Sequence, residues 1–335
     1  MSTSPILLIG GAGAVGRWAA RHLRAAHPDL PILIGGRDGE KAARLAAEIG
    51  EAEGVVVDLA VDDLGLGERP VAAVAVLFND TRTAALRFAQ DRSVPYVSIA
   101  PMLNEIAPEV AAYMHWPAAA PVVLATEWLV GATTLPTLDI AKGFGRIDTI
   151  AIGALLDDED TGGPAQLDDL ERLTKAAPAA LARQNGIWTW RVGEEAKGRL
   201  RAVDGTEMAA EALSPNDVLG LAMETGAPNV TFDLAMGVTS SRRRGEPMST
   251  EITIELAGED RAGRPLSTRH AVVHPQGQFP LTGLGVALLL ERLVGLDGGP
   301  AVTHGLYFPH QLLDPSAYLK RFEAMGGTLL RLDAA

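Results

Sequence analysis

The chain has 335 residues, 47% hydrophobic and 21% charged, a composition typical of a soluble globular protein with a sizeable core and a length that suits two domains. Its net charge of −13 excludes a general attraction for nucleic acid or anionic membranes, and the absence of cysteine excludes disulfides, thiolate catalysis and thiolate metal sites. The first residues carry no positive charge and no uncharged apolar run reaches about 18 residues. We therefore expect a cytoplasmic protein without a signal peptide or membrane span.

The first predicted elements are a strand, a glycine-rich turn and a helix. Residues 6–9 form a short apolar run typical of a parallel strand buried on both faces, and residues 17–24 are predicted to be helical. The sequence GAGAVG between them matches G-x-G-x-x-G, in which glycines permit the tight turn, the approach of a pyrophosphate and close helix packing. We expect the cofactor to contact Gly11, Gly13, Ala14, Val15 and Gly16. The alternative is a glycine-rich turn without a ligand.

The second predicted strand, residues 32–35, is followed by Gly36, Arg37 and Asp38. An NAD-binding fold usually carries an acid here to hold the ribose 2′-hydroxyl. In this chain a glycine leaves room and Arg37 can bind a 2′-phosphate with two hydrogen bonds, which favours NADP. Alternatively, Arg37 is a solvated loop residue, and Asp38 is the acid for NAD. The place of Asp38 before a predicted helix at residues 40–49 is more typical of a helix N-cap.

Four further strands complete the predicted doubly wound parallel sheet, and they cover residues 55–58, 71–78, 96–99 and 121–126. Asp58, at the end of the third strand, either accepts a hydrogen bond from the adenine amino group or caps the next short helix. Asn79 and Ser98 follow the fourth strand and end the fifth, where we expect the nicotinamide half of the cofactor.

These stretches resemble the saccharopine dehydrogenase-like family of NAD(P)-dependent oxidoreductases. The resemblance rests on ILLIGGAGAVGRWAARHL, ILIGGRDGEKAARLAAEI, VVVDLA and VPYVSIA, and near the end on FPLTGLGVALLLERLVGL and GLYFPHQLLDPSAYLKRFEAMGG. It implies a Rossmann domain with a second α/β domain inserted before the last helices, and nicotinamide chemistry, often at a C–N bond. The cofactor contacts that it implies are Gly11, Gly13, Gly16, Arg37 and Asp58.

The chain departs from this family near the expected substrate side. Many members have Gly-Pro where this chain has Asn79-Asp80, and Asp where it has Ser98. Many also have Pro-Gly where it has Leu135-Pro136. These differences leave the cofactor prediction intact, but the substrate need not be saccharopine.

An inserted α+β domain is predicted for residues 146–278, within a Rossmann domain formed by residues 1–145 and 279–335. Its predicted strands, residues 147–155, 187–192, 199–203, 230–237, 249–257 and 266–274, suggest a mostly antiparallel sheet. Helices are predicted at residues 166–183 and 215–225. The open face of such a sheet needs cover, which predicts a homodimer.

Three stretches of this domain leave alternatives open. The acidic loop at residues 157–164 is interpreted as solvated, and we predict no metal site. The basic turn at residues 240–246 either receives an anionic group or is a solvated hairpin tip. Trp188 and Trp190 share a face of their strand and serve sheet packing, a subunit contact or a substrate wall.

Hydride transfer needs a group that gives or takes a proton at the reacting heteroatom. Glu127, which follows the sixth strand, is one candidate, and its alternative is a solvated loop acid. His270 and His274 share a face of a strand and are the others, with ordinary strand histidines as the alternative. The sequence contains no Tyr-x-x-x-Lys pair after the fourth strand, no serine nucleophile elbow and no His-Glu-x-x-His motif.

Together these features predict an NADP(H)-dependent oxidoreductase that transfers a hydride to or from a small imine or carbonyl substrate. We predict no nucleic-acid or membrane partner. Two alternatives stay open: a redox-sensing regulator that binds NADP without turnover, and a catalytically silent subunit.

Overall fold

The computed structural model describes residues 4–99, 102, 103, 105–162 and 179–333. The chain divides into two compact units, one from Met1–Thr126 and Thr282–Leu313, the other from Glu127–Leu281 and Asp314–Ala335. In the described part of the chain, no helix is long and apolar enough to cross a membrane.

The first unit is built on a parallel sheet. Its strands are β1 (Ile6–Ile9), β2 (Ile32–Gly36), β3 (Ala52–Val56), β4 (Ala73–Val76), β5 (Tyr96–Ser98), β6 (Pro121–Leu124) and β15 (Gly305–Tyr307). They lie in the order β15-β6-β5-β4-β1-β2-β3, and every neighbouring pair is parallel. The order reverses beside β1, which is the doubly wound arrangement of a Rossmann fold and confirms that part of the predicted fold class.

Helices connect these strands and bury their apolar faces. They are α1 (Ala14–Ala26), α2 (Gly39–Ile49), α3 (Ala84–Asp91), α4 (Ala107–His115) and, in the later part of the chain, α8 (Phe279–Leu293). Strands β1 and β4 are uncharged runs, ILLI and AVAV, and all of their residues are buried, as expected where both sheet faces are covered. The predicted strands overlap the observed ones, with the largest shift at β3, which covers residues 52–56 instead of 55–58.

The second unit contains a mixed, mostly antiparallel sheet. Its strands are β7 (Phe144–Asp157), β8 (Ala179–Gln184), β9 (Ile187–Val192), β10 (Lys197–Arg201), β11 (Glu207–Ala212), β12 (Asn229–Gly237), β13 (Thr250–Asp260), β14 (Pro265–His274) and β16 (Thr328–Leu332). The main order is β10-β11-β12-β7-β13-β14-β16, and β8 joins β12 to β9. Only β7 and β12, among the described pairs, are parallel neighbours. The predicted α+β character is thus confirmed.

Four α-helices of the described residues accompany this sheet: α5 (Thr134–Ala141), α6 (Asp217–Thr225), α7 (Ser240–Arg243) and α9 (Pro315–Ala324). Helices α5 and α6 contact each other and β7. Asp217, the first residue of α6, accepts a hydrogen bond from Thr134, the first residue of α5, so the two helix starts meet. Just before α5, the ring of Trp128 packs against Phe232 in the middle of β12, with 5.5 Å between the ring centroids.

The division of the chain differs from the predicted one in two places. Helix α5 belongs to the second unit, so the first boundary falls at Thr126 instead of residue 145. At the C-terminus, β16 pairs with β14 from Arg269 and Leu332 to Val273 and Thr328. Strand pairing therefore holds the last residues in the second unit, where residues 279–335 were all expected in the first.

The prediction of a helix at residues 166–183 is wrong for residues 179–183. Residues 179–184 form β8, which pairs with β9 across Asn185 and Gly186, while residues 166–178 lie outside the described residues. Asn185 and Gly186 both have positive φ, 50° and 81°, as a two-residue hairpin turn requires. The Asn-Gly pair was the sequence signal for this hairpin.

Candidate nucleotide site and a buried acid pair

The glycine-rich turn leaves β1 at its carboxyl end and enters α1. A Cβ atom on Gly11 would lie 2.7 Å from the carbonyl oxygen of Leu8, and one on Gly16 would overlap the Gly11 backbone. Fixed backbone atoms fill the space of a side chain, so both positions require glycine. These are the turn and the close helix packing that the sequence pattern indicates.

Gly13 has a different environment from its two neighbouring glycines. It is the N-cap of α1, and the nearest atom to a Cβ there would be the Gly10 carbonyl oxygen at 3.1 Å. The first turn begins with Ala14, Val15 and Gly16; it contains no acidic residue, and no side chain caps it. Its N–H groups have no partner within the helix and carry the positive end of the dipole. The turn therefore fits the pyrophosphate of a dinucleotide.

An exposed arginine follows the end of β2. A Cβ atom on Gly36 would meet nothing within 4 Å. Arg37 is exposed, and it has no hydrogen-bond or ion-pair partner in the part of the chain that the structure describes. Asp38 is the N-cap of α2, with Oδ1 accepting the N–H of Lys41 at 2.9 Å. The exposed guanidinium of Arg37 at this strand end fits a 2′-phosphate, whereas the carboxylate of Asp38 caps α2.

Replacing Asp38 with alanine tests the alternative that this acid holds the ribose of NAD. We expect a loss of about 1 kcal/mol in the free energy of unfolding, because α2 loses its cap. We expect unchanged affinity for NADH, measured by fluorescence titration beside urea unfolding. A tenfold weaker binding of NADH would instead assign the ribose to Asp38.

Asp58 lies just beyond β3 and is exposed. Its Oδ1 accepts the N–H of Ala60 at 2.8 Å, so it caps the turn that follows the strand. Residues 59–62 of that turn line a cavity of about 520 Å³ together with Arg82 and Arg87. Since one carboxylate oxygen is sufficient for the cap, contact with adenine stays a prediction for the other oxygen.

Asn79 and Ser98 lie in different surroundings. Asn79 is half-buried and donates from Nδ2 to Oε1 of Glu105 at 3.3 Å. Ser98 is buried, and its hydroxyl donates to Glu109 at 2.8 Å, as the Tyr96 hydroxyl does. Burial raises the pKa of the Glu109 carboxyl. This network occupies the Ser98 side chain. Of these two residues, only Asn79 therefore stays among the cofactor contacts that we propose.

Glu127 is buried, with 3% of its surface exposed, so it is not a solvated loop acid. A second acid, Asp217 at the start of α6, is fully buried beside it. Burial and, next, the charge of Glu127 raise the pKa of Asp217 to about 7. Asp217 is a residue that the sequence analysis missed, and its place in the first turn of a helix was too common a feature to single it out.

The segment between Glu127 and α5 follows a strained path. Leu129, Val130 and Gly131 have successive φ angles of 50°, 57° and 90°. A left-handed φ is a clear outlier for a β-branched residue such as Val130. Backbone strain of this kind persists where the surroundings fix it, and it often accompanies functional sites.

The two candidate histidines lie on β14 and share a face, as expected. His274 is fully buried: its Nδ1 accepts the N–H of Gln276, and its Nε2 lies 3.3 Å from the Met325 carbonyl. His270 is half-buried on the same strand, and burial and then Arg331 lower its pKa. His274 fits a core residue that links β14 to the end of α9. Neither histidine enters our proposal, which takes Glu127 as the proton-exchanging group because a second acid, Asp217, is buried beside it.

The basic turn is neither a hairpin tip nor an open anion site. It forms the one-turn helix α7, and its arginines are paired within the unit. Arg242 pairs with Asp157, Asp158 and Glu159 of the acidic loop, and Arg243 pairs with Asp204. Residues 163 and 164 of that loop lie outside the described residues. Within the described ranges, no group of three or more His, Cys, Asp or Glu side chains could hold a metal ion.

No protein-family model matches the sequence, and no curated protein matches it. Solved structures match the fold. Saccharopine dehydrogenase (L-Glu forming) from Saccharomyces cerevisiae, in its apo form, aligns with a TM-score of 0.67 at 13% identity, over 99% of this chain and 100% of that one.

Two other solved structures align less closely. GenD2 from gentamicin A biosynthesis, in complex with NAD, has a TM-score of 0.50 at 14% identity and covers 100% of this chain and 97% of its own. A myo-inositol dehydrogenase from Corynebacterium glutamicum has a TM-score of 0.50 at 14% identity, with both chains covered fully, 100% each. This chain therefore shares the two-domain fold of these structures, which confirms the resemblance drawn from the sequence at the level of the fold.

Proposed function

We propose that the protein is an NADP(H)-dependent oxidoreductase acting on a small organic molecule with an imine or carbonyl group. The observation that carries this proposal is the pairing of two features at the carboxyl edge of one parallel sheet. The uncapped start of α1 follows β1, and the exposed Arg37 follows the neighbouring strand β2. The fold similarity to saccharopine dehydrogenase, and to GenD2 in complex with NAD, supports a nicotinamide cofactor.

In this proposal each part of the chain binds one part of the dinucleotide. The turn from Gly11 to Gly16 holds the pyrophosphate through backbone N–H groups. Gly36 gives space at the ribose and Arg37 binds the 2′-phosphate, while Asp58 borders the adenine. Bound NADP(H) supplies or takes the hydride.

Glu127 is our candidate for the group that exchanges a proton with the substrate heteroatom. Its carboxyl is removed from bulk water and shares its surroundings with a second carboxyl, Asp217. Burial and the charge of Glu127 raise the pKa of Asp217 to about 7, so the two carboxyls interact. A positioned carboxyl can serve as a general acid in reduction and, when ionised, as a base in oxidation.

Replacing Arg37 with alanine tests the cofactor preference. We expect the wild type to bind NADPH at least tenfold more tightly than NADH, about 1.4 kcal/mol. The variant should lose that difference, because the 2′-phosphate loses its charged hydrogen bonds. Arg44→Ala is the matched control, since this exposed arginine lies on α2 and pairs with Glu40. Equal preference in the wild type and the Arg37 variant would contradict the assignment.

Turnover is tested by NADPH consumption over a panel of imines and ketones. Binding of NADPH with no consumption of any substrate would favour the regulator or the silent subunit.

The homodimer stays a prediction. The exposed side chains on β9 support it, since Trp188 and Trp190 are 36% and 51% exposed and are not packed in the sheet core.

A further inference from the structure

Asp217 bridges the two ends of the segment that carries Glu127. Its Oδ2 accepts the N–H of Trp128 at 2.5 Å, and its Oδ1 accepts the hydroxyl of Thr134 at 2.7 Å. Both partners are far from it in sequence, 89 and 83 residues away. One fully buried carboxyl therefore fixes the residue after Glu127 and the first residue of α5 at once.

The bridged segment needs such a restraint. Leu129 and Val130 both adopt a left-handed φ, and both are buried. The local hydrogen bond from Val130 N–H to the Glu127 carbonyl, 2.9 Å, closes the turn but does not attach it to the rest of the unit. The two hydrogen bonds to Asp217 make that attachment, so they help to offset the strain.

The path of the segment determines where the carboxyl of Glu127 lies. A Cβ atom on Gly131 would come within 3.3 Å of Oε2 of Glu127, so the backbone of the strained turn packs directly against this carboxyl. Gly131 has a φ of 90°, which favours glycine for a second reason. A change in the turn would therefore move the acid.

No basic side chain of the described residues lies within ion-pair distance of Asp217. The charged groups on the packed elements have other partners: Asp139 of α5 pairs with Lys142, and Asp233 of β12 pairs with Arg191. From β8, Arg183 donates to the Ala222 carbonyl.

We propose that Asp217 is a positioning residue for Glu127: its buried carboxyl, protonated in the folded chain, holds the strained segment in place through its two hydrogen bonds. This rests on the proposed function only for the catalytic use of Glu127; the hydrogen bonds and the proton of Asp217 are properties of the folded chain. Because burial and the charge of Glu127 raise the pKa of Asp217 to about 7, its carboxyl keeps a proton that it loses when the chain unfolds above pH about 4.

The first test is the pH dependence of unfolding in urea, which needs no substrate. Between pH 5 and 7 the folded state binds up to one more proton at Asp217 than the unfolded state. The unfolding equilibrium constant of the wild type should therefore rise with pH, by up to about tenfold per unit from Asp217. Asp217→Asn should reduce this slope by nearly one proton. Asp157→Asn is the matched control: this acid of the same unit is also buried, but hydrogen bonds outweigh burial and lower its pKa, so it is charged in both states over this pH range.

The control variant should keep the pH dependence of the unfolding equilibrium constant that Asp217→Asn removes. An unchanged slope in Asp217→Asn, or the same loss in both variants, would overturn the proposed protonation of Asp217. The difference infrared spectrum gives a second readout, since a buried protonated carboxyl present in the wild type should be missing in Asp217→Asn.

The second test separates positioning from a merely structural role by turnover. In Asp217→Asn we expect kcat to fall roughly tenfold with KM nearly unchanged, and the pH limb of kcat/KM to move to lower pH. A fall in activity with an unmoved pH limb would contradict the proposal. If neither the wild type nor the variant turns over any substrate, the proposed function fails, while the unfolding and infrared comparisons still decide whether Asp217 is protonated.

Discussion

Replacing Gly13 with alanine is expected to weaken NADPH binding at least tenfold, about 1.4 kcal/mol, while the fold stays intact. The added methyl group would point toward the open side of the turn, where only the Gly10 carbonyl oxygen lies near, at 3.1 Å. It therefore occupies space that a pyrophosphate needs without meeting a wall of protein atoms. Calorimetric titration with NADPH measures the loss.

The free energy of unfolding should change by about 1 kcal/mol or less in this variant. Alanine is a poorer N-cap than glycine, but it lowers the entropy of the unfolded chain, and the two effects oppose each other. Gly143→Ala is the matched control, because this exposed glycine also has little near its Cβ position, the Ile140 carbonyl oxygen at 3.4 Å. Full NADPH affinity in Gly13→Ala would exclude the turn as the pyrophosphate site.

Replacing Glu127 with glutamine is expected to lower kcat about 10²- to 10⁴-fold, the usual range for the loss of a general acid or base. Glutamine keeps the shape of the side chain but cannot exchange a proton. Dinucleotide affinity should stay unchanged, because the proposed cofactor contacts are the glycine turn, Arg37, Asp58 and Asn79. Steady-state kinetics with the best substrate of the panel, beside NADPH titration, measure both quantities.

Glu109→Gln is the control for Glu127→Gln, because both residues are buried glutamates with 3% of their surface exposed. Burial raises the pKa of Glu109. Its partners are the hydroxyls of Tyr96 and Ser98, so its loss should cost stability and leave most of the turnover. A Glu127 variant with wild-type kcat would remove this residue from the chemistry. Equal loss in both variants would indicate a general structural effect.

The nucleotide half of the molecule was largely predictable because its signals are local. The strand, the three glycines and the helix occupy one continuous stretch, and each glycine requirement arises from atoms a few residues away, such as Leu8 beside Gly11. The N-cap at Asp38 is also a short-range signal, since its partner is Lys41. Such patterns survive in any tertiary context that keeps the strand and helix together.

The acid pair could only be predicted in part. Glu127 was found from its place after a strand, but its burial and its neighbour Asp217 depend on contacts across more than 80 residues. The interpretation of the basic turn was incomplete for the same reason, because the partners of Arg242 and Arg243, Asp157 and Asp204, come from separate strands and turns. Sequence shows which charges exist, whereas the fold decides which of them meet.

Two secondary-structure errors have different causes. Strand β16 pairs with β14 more than 50 positions away, and no local pattern indicates that partner. For β8 the signal was present, since Asn185-Gly186 separates two short runs that pair residue by residue. The sequence before residue 179 has a helical pattern, and the predicted helix was extended beyond that pattern into the strand.

The most direct test of the account is a calorimetric titration of the purified protein with NADPH and, separately, with NADH. We expect one NADPH per chain, bound at least tenfold more tightly than NADH. Tighter binding of NADH would reverse the cofactor assignment and make Asp38 the ribose acid. No binding of either dinucleotide would contradict the central claim, because the glycines would then be only a turn.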